Sequence, residues 1–139
     1  MASFRMIGQP HHAYANPNMM FDGIIRDHNM YHSAACAGAG SDYAGIIITF
    51  PTLVEFADLE LVTRTDCCPE RYNNVCLYAD GVQIGCTPSD LNPINLGVTL
   101  NFKDYTHTPA TAQEFKLNWE NEHCMQIAEL YLHYKGIKP

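Results

Sequence analysis

The sequence has few charged residues and no long apolar run. Only 17% of its 139 residues are charged, and 15 acidic residues outnumber 8 basic ones, which gives a formal net charge of −7. Because the basic residues form no cluster, nucleic acid and anionic membrane surfaces are poor partners. The longest apolar run, at 44–50, is far shorter than the roughly 20 residues of a membrane-spanning helix. We therefore expect neither nucleic-acid binding nor membrane insertion.

The sequence also lacks the motifs that mark common enzymes. It contains no Gly-x-Ser-x-Gly, no metal-protease helix motif and no clear pair of catalytic carboxylates. The seven histidines form no metal-spaced pair on a predicted helix. We therefore expect a protein without catalytic activity.

Helical periodicity is scarce, whereas short β-rich runs separated by turn residues recur about every ten positions. Such a pattern predicts an all-β fold, a jelly-roll β-sandwich of about eight antiparallel strands. The length suits a single domain, 1–139. The expected strands are 46–50 (ending at Pro51), 54–63, 75–78, 82–86, 95–102, 114–119 and 125–134, with a hairpin turn at Asp80–Gly81 and a loop at 87–93.

Six cysteines occur without any Cys-x-x-Cys pair, which favours disulfides over a metal site. Adjacent Cys67 and Cys68 would form a stiff, flat ring, since neighbouring Cα atoms are about 3.8 Å apart. A Cys76–Cys86 bond would bridge the predicted hairpin, and Cys36–Cys124 would remain. Three disulfides imply an oxidising compartment, and we expect a secreted, extracellular protein. The alternative is a cytosolic protein with six thiols.

The first residues lack the apolar region of about 7–15 residues that a secretory signal contains. For an extracellular protein, this start is expected of a fragment or of a mature form with an added Met1. The chain is therefore also compatible with a domain of a larger protein.

The stretch Arg64–Arg71 reads Arg-Thr-Asp-Cys-Cys-Pro-Glu-Arg and combines two guanidinium groups with the Cys67–Cys68 ring. Arginines offer planar N–H forks suited to hydroxyls and ring oxygens, and Asp66 is placed to hold one of them. An apolar ring flanked by fixed donors is typical of a sugar site. Taken alone, the arginines would more simply pair with Asp66 and Glu70 on the surface.

The same stretch resembles the binding motif of the F-type lectins, the fucose-binding fucolectins with a discoidin-like β-sandwich. The segments 18–23, 31–33 and 127–132 are also similar to segments of that family. The resemblance implies a non-enzymatic lectin domain that recognises fucose or a related galactose-configured glycan. Because single sugar sites are usually weak, homo-oligomers or tandem copies are expected to add avidity.

The sequence departs from the family pattern at one position of the motif. The family has a histidine 27 residues before the first arginine, but Ala37 stands there and the nearest upstream histidine is His32. We expect His32 to approach the site, although a packed histidine is the simpler interpretation. The departure also favours an alternative function, a discoidin-like adhesion or protein-interaction domain that has lost sugar binding. An accessory domain of a larger glycosidase or toxin is a third interpretation.

Two further expectations concern residues outside the two arginines. Tyr72, next to the motif, would stack on a sugar face or pack in the core. The resemblance implies a structural calcium held by Asp22 and Glu129, since calcium takes several oxygen ligands from distant segments. The alternative is that Asp22 is only a turn residue. Trp119 is expected in the core.

Overall fold

The computed structural model describes residues 2–7, 17–23, 25, 29–36, 44–91, 96–107, 109–121 and 123–137, without the side chains of 34–36, 69 and 70. The described residues form nine strands and three short 3-10 helices and no α-helix. The strands are β1 (Ser3–Ile7), β2 (Tyr31–Cys36), β3 (Gly45–Val62), β4 (Val75–Ala79), β5 (Val82–Cys86), β6 (Thr99–Asn101), β7 (Thr111–Trp119), β8 (Cys124–Ile127) and β9 (Glu129–Gly136). The 3-10 helices are Pro17–Met20, Pro69–Tyr72 and Phe102–Asp104.

Every strand pair is antiparallel, and the strands form a seven-stranded and a two-stranded sheet. The large sheet has the order β1-β3-β7-β4-β5, with β6 and β9 also paired to β3, and the small sheet joins β2 to β8. Side chains from both sheets share one core. The expected all-β jelly-roll β-sandwich is therefore confirmed. The largest fully buried side chains in the core are Trp119, Tyr31, Tyr72, Phe102, Phe115, Met20, Ile46, Leu59, Leu61, Leu77, Met125 and Ile127.

The central strand β3 is longer than the sequence predicts. Pro51 was expected to end a strand, yet β3 runs through it from Gly45 to Val62. The register between β3 and β7 shifts between Thr49 and Val54, so Pro51 lies where the ladder is interrupted. A residue without an N–H is tolerated at such an irregularity. At its far end, β3 delivers the chain to Arg64.

The β4–β5 hairpin confirms the predicted turn. Asp80 and Gly81 both have positive φ, 46° and 81°, as a two-residue turn with a right-handed strand twist requires. Cys76 lies opposite Cys86, and their sulfur atoms are bonded at 2.13 Å. The expected hairpin disulfide is therefore present.

Two strand predictions in the last third of the chain were wrong in their bounds. Of the run predicted at 95–102, the described part 96–102 forms a strand only at β6, and a 3-10 helix begins at Phe102. The segment 125–134 was expected to form one strand, but it is divided at Ala128, whose N–H donates to the Val62 carbonyl at 2.9 Å. The chain passes from the small sheet to the large one at this point. Gln126 and Glu129 consequently belong to different sheets.

The third disulfide is described only in part. Cys124 is disulfide-bonded, and the backbone of Cys36 lies opposite it in the β2–β8 pair. The side chain of Cys36 lies outside the described residues, so the Cys36–Cys124 pairing stays a prediction. No helix in the described ranges has the length and hydropathy of a membrane span.

Candidate functional site

Backbone hydrogen bonds fix the loop 63–74, which connects β3 to β4. The N–H of Thr63 donates to the Val98 carbonyl at 2.8 Å, and the Arg64 carbonyl accepts from the N–H of Gly97 at 3.0 Å. The N–H of Arg64 donates to the Tyr72 hydroxyl at 2.7 Å. Both ends of the motif are therefore tied together and to the neighbouring loop.

Tyr72 supports this loop from inside the molecule. It is fully buried, and its ring packs edge-on against Trp119 with 5.5 Å between centroids. Burial raises the pKa of Tyr72, so its hydroxyl remains protonated. The expectation that Tyr72 stacks on a ligand is therefore wrong, because the 3-10 turn directs the ring into the core. The alternative of core packing is correct for Tyr72, as it is for Trp119.

The predicted ring between Cys67 and Cys68 is present. Their sulfur atoms are bonded at 2.11 Å across Cα atoms 3.8 Å apart, and both residues are half-buried. Cys68 has a left-handed backbone with φ of 70°, and its carbonyl accepts from the N–H of Arg71 at 3.2 Å. The ring therefore leads directly into the 3-10 helix that carries Arg71.

The guanidinium of Arg64 is held by two side chains. Its Nε and Nη2 donate to the two Asp66 carboxylate oxygens, the second at 3.3 Å, as the sequence predicts for this pair. Its Nη1 donates to Oε1 of Gln126 at 2.7 Å. Only 16% of the Arg64 side chain is exposed. Arg64 is therefore a fixed donor whose charge is compensated by Asp66.

Arg71 combines a fixed backbone with an unpaired side chain. Its carbonyl accepts from Nε1 of Trp119 at 2.8 Å and from Nδ2 of Asn121 at 3.1 Å. Its half-buried guanidinium has no hydrogen-bond or ion-pair partner among the described residues. The Arg64 and Arg71 charges both lower the pKa of Tyr72, against the larger effect of burial.

His32 lies near the site in the small sheet. It pairs across the strands with Gln126, the residue that binds Arg64. Directly opposite residues of an antiparallel pair point to the same face, so the imidazole and the amide are neighbours. Nδ1 of His32 donates to the Ser33 carbonyl at 2.8 Å. Direct contact of His32 with a ligand stays a prediction, and Ala37 lies outside the described residues.

Asp22 and Glu129 form a second polar cluster. Glu129 is fully buried, and neither of its carboxylate oxygens has a hydrogen-bond partner among the described residues. Burial and the nearby Asp22 carboxylate raise the pKa of Glu129. Asn29 donates to both Asp22 oxygens, at 3.2 and 3.0 Å. No group of three or more His, Cys, Asp or Glu with metal-site geometry occurs in the described part of the chain.

Comparison with solved structures identifies the fold. A fucolectin from striped bass (Morone saxatilis) serum superposes with a TM-score of 0.73 and 15% sequence identity, over 95% of this chain and 46% of that chain. The chain has the F-type lectin fold. A family 32 carbohydrate-binding module from Clostridium perfringens, solved with galactose, matches with a TM-score of 0.66 and 15% identity, covering 96% of this chain and 93% of that one. A fucose binding module from Streptococcus pneumoniae matches with a TM-score of 0.63 and 14% identity, covering 96% of this chain and 93% of that one.

The likeness to these proteins lies in the fold. No family model and no curated protein sequence matches the chain. The chain spans less than half of the striped bass lectin, 46% of its length. The F-type lectin fold confirms the architecture that the motif at 64–71 implies. The fold alone does not identify the ligand.

An apolar groove lies away from the motif. It has a volume of about 360 Å³ and contains none of residues 64–72. Aromatic rings from β1, β3 and β9 line it, with Phe4 and Phe21 packed at 4.9 Å and Phe50 and Tyr134 at 4.5 Å. The lining has few polar atoms, so the groove does not offer the array of donors that the motif does.

Three residues that support the motif were not found from the sequence. Gln126 binds the Arg64 side chain, while Trp119 and Asn121 bind the Arg71 carbonyl. They lie 62, 48 and 50 residues from their partners along the chain. The run 125–132 is apolar except for Gln126, Glu129 and the hydroxyl of Tyr131, and this pattern was a signal for Gln126 but not for Trp119 or Asn121.

Proposed function

We propose that this protein is a non-enzymatic sugar-binding domain whose binding face consists of Arg64, Arg71 and the Cys67–Cys68 ring. The observation that carries the proposal is the guanidinium of Arg71, which has no partner among the residues that the structure describes, on a backbone held by two side chains. A sugar offers hydroxyl and ring oxygens around a C–H face. Arginine N–H groups bind the oxygens, and the disulfide ring packs against the C–H face or a methyl group. Asp66 orients Arg64, and His32 is placed to complete the rim.

The proposed ligand is fucose or a related galactose-configured sugar. Proteins with this fold support that class, since a fucolectin, a module bound to galactose and a fucose binding module are among them. The Arg-x-Asp-Cys-Cys-x-x-Arg run at 64–71 supports it from the side of the sequence. The competing function is a discoidin-like interaction domain without sugar binding.

A glycan array tests the proposal. We expect the chain, supplied with calcium, to bind glycans that end in fucose or galactose, and Arg71→Ala to lose this signal. The matched control is Arg5→Ala, because Arg5 is an exposed arginine on β1 outside the motif. An array on which the parent chain binds no glycan would reject the sugar site and favour the interaction domain.

A structural calcium ion is part of the same proposal. The buried Glu129 carboxylate has no hydrogen-bond partner within the described ranges, and this fits a cation, because a buried charge is costly unless it is paired or coordinated. Asp22 would supply a second carboxylate, and backbone carbonyls would complete the oxygen ligands that calcium requires. The ion would fix the segment at Asp22 against the start of β9.

We further propose an extracellular location and multivalent binding. Cys67 and Cys68 form one disulfide, and Cys76 and Cys86 form another. In most organisms such bonds persist only in oxidising compartments. Because a single exposed sugar site binds weakly, oligomers or tandem copies would raise the affinity for a glycan surface.

A further inference from the structure

Gln126 is a buried polar residue that the sequence did not assign to the site. It lies on β8 in the small sheet and is completely buried, with 0% of its surface exposed. Its Oε1 accepts from Nη1 of Arg64 at 2.7 Å, while its Nε2 has no hydrogen-bond partner among the described residues. The amide thus satisfies a guanidinium at one end and leaves a donor unsatisfied at the other.

The unsatisfied donor makes a purely structural role for Gln126 a poor explanation. A buried donor without a partner destabilises the folded state, whereas an apolar side chain of similar shape would not. Residues that lower stability in this way are concentrated at functional sites. What the amide provides at this position is an acceptor oxygen for the guanidinium of Arg64.

The hydrogen bond also connects the two sheets at the proposed binding face. Arg64 follows β3 of the large sheet, and Gln126 belongs to the small sheet. Asp66 fixes the Nε–Nη2 edge of the guanidinium, and Gln126 fixes Nη1. With three hydrogen bonds from two directions, the plane of the guanidinium is set before any ligand arrives. Its remaining N–H groups therefore have defined directions.

We propose that Gln126 is a positioning residue of the sugar site, which orients Arg64 for the ligand. This inference rests on the proposed function, because it assigns a role to Gln126 at that same face. Pre-orientation lowers the entropy that a ligand must remove when it binds, so Gln126 acts on affinity through Arg64.

The test compares Gln126→Met with Gln126→Glu on polyacrylamide-linked fucose and galactose. Gln126→Met keeps the volume and removes both polar atoms, so we expect about fivefold to tenfold weaker binding, the effect of one hydrogen bond. Its melting temperature should stay close to that of the parent, because removal of the unsatisfied donor offsets the loss of the acceptor for Arg64. Gln126→Glu keeps the acceptor for Arg64 and should restore binding to within about twofold of the parent.

A double-mutant cycle separates positioning from a general effect. In the Arg64→Ala background, Gln126→Met should cause no further loss of binding, because its effect passes through Arg64. Additive losses would contradict the proposal. If Gln126→Met fails to fold, then it has a structural role and the proposal is wrong, unless a folded Gln126→Leu shows the expected loss.

Arg71→Ala distinguishes failure of this inference from failure of the proposed function. If Gln126→Met binds like the parent while Arg71→Ala loses binding, the role of Gln126 is wrong and the sugar site stands. If Arg71→Ala also binds like the parent, or the parent binds neither sugar, the site itself is wrong and Gln126 has no ligand to position. Weaker binding of a folded Gln126→Glu would likewise contradict the proposal.

Discussion

Arg64 and Arg71 differ in what holds each of them. The Arg64 side chain is bound by Asp66 and Gln126, whereas the Arg71 side chain has no partner among the described residues and only its backbone is fixed. The first arginine is therefore part of the structure of the loop as well as of the proposed site. The second is available entirely to a ligand. Substitutions at the two positions should have different consequences for stability.

Arg64→Ala should lower both stability and binding. Asp66 and Gln126 would lose their donors, and unsatisfied groups of this kind cost about 1–3 kcal/mol. Loss of hydrogen bonds from a charged group to the ligand should weaken binding about 10- to 150-fold. Thermal melts and sugar titrations of the same sample check both effects. An Arg64→Ala variant that melts like the parent would show that the contacts to Asp66 and Gln126 do not stabilise the loop.

At the scale of elements, the sequence revealed the parts of the site that depend on neighbours along the chain. The Cys67–Cys68 ring and the Arg64–Asp66 pair are within a few residues of each other, so their contact follows from local geometry. The role of Tyr72 did not follow, because the face that it presents is set by the 3-10 turn before it.

Contacts between sheets could not be predicted in the same way. The approach of Gln126 to Arg64 depends on how β3 and β8 pack, and this depends on the whole core. The change of sheet at Ala128 had no clear sequence signal, because apolar and polar residues do not alternate regularly either before or after Ala128 within 125–134. The hairpin at Asp80–Gly81 was predictable because these residues suit positive φ.

The loop 63–74 should respond to reduction before the rest of the fold does. Cys67 and Cys68 are both half-buried, whereas in the Cys76–Cys86 bond only Cys86 is half-buried and Cys76 is 3% exposed. A bond between neighbours constrains the unfolded chain very little, while Cys76–Cys86 should contribute about 3 kcal/mol by the chain-entropy estimate. Mild reductant should therefore weaken sugar binding with little change in the melting temperature, and stronger reductant should lower both.

Free-thiol counting by mass spectrometry, alongside a melt and a titration, measures this order. A Cys67→Ser, Cys68→Ser double variant is the matched control, because it removes the ring without reductant. Full sugar binding by that variant would show that the ring is not part of the binding face. Six free thiols in the untreated protein would contradict the disulfides and the extracellular location together.

At the scale of the whole molecule, Glu129 connects the segment at Asp22 to the large sheet. Its buried carboxylate oxygens have no hydrogen-bond partner in the described part of the chain, so Glu129→Gln should raise stability when calcium is removed by a chelator. With calcium, the parent should gain about 2.7 kcal/mol when the ion is at 100 times its dissociation constant. The variant should gain much less.

Melting curves of both proteins, with chelator and with added calcium, test this difference. Asp22→Asn is a second variant that should also reduce the gain from calcium, since it removes the other proposed carboxylate ligand. A parent melting temperature that is independent of calcium would reject the ion. Equal gains in the parent and in Glu129→Gln would place any bound calcium elsewhere.

The central claim is that the face around Arg71 binds a sugar. The most direct measurement is a titration of the parent, Arg71→Ala and Arg5→Ala with the sugar that the glycan array identifies. Arg71→Ala should bind about 10- to 150-fold more weakly, because a charged donor to hydroxyl oxygens is lost. It should melt like the parent, and Arg5→Ala should match the parent in both respects. Equal affinity of the parent and Arg71→Ala would contradict the assignment of the binding face.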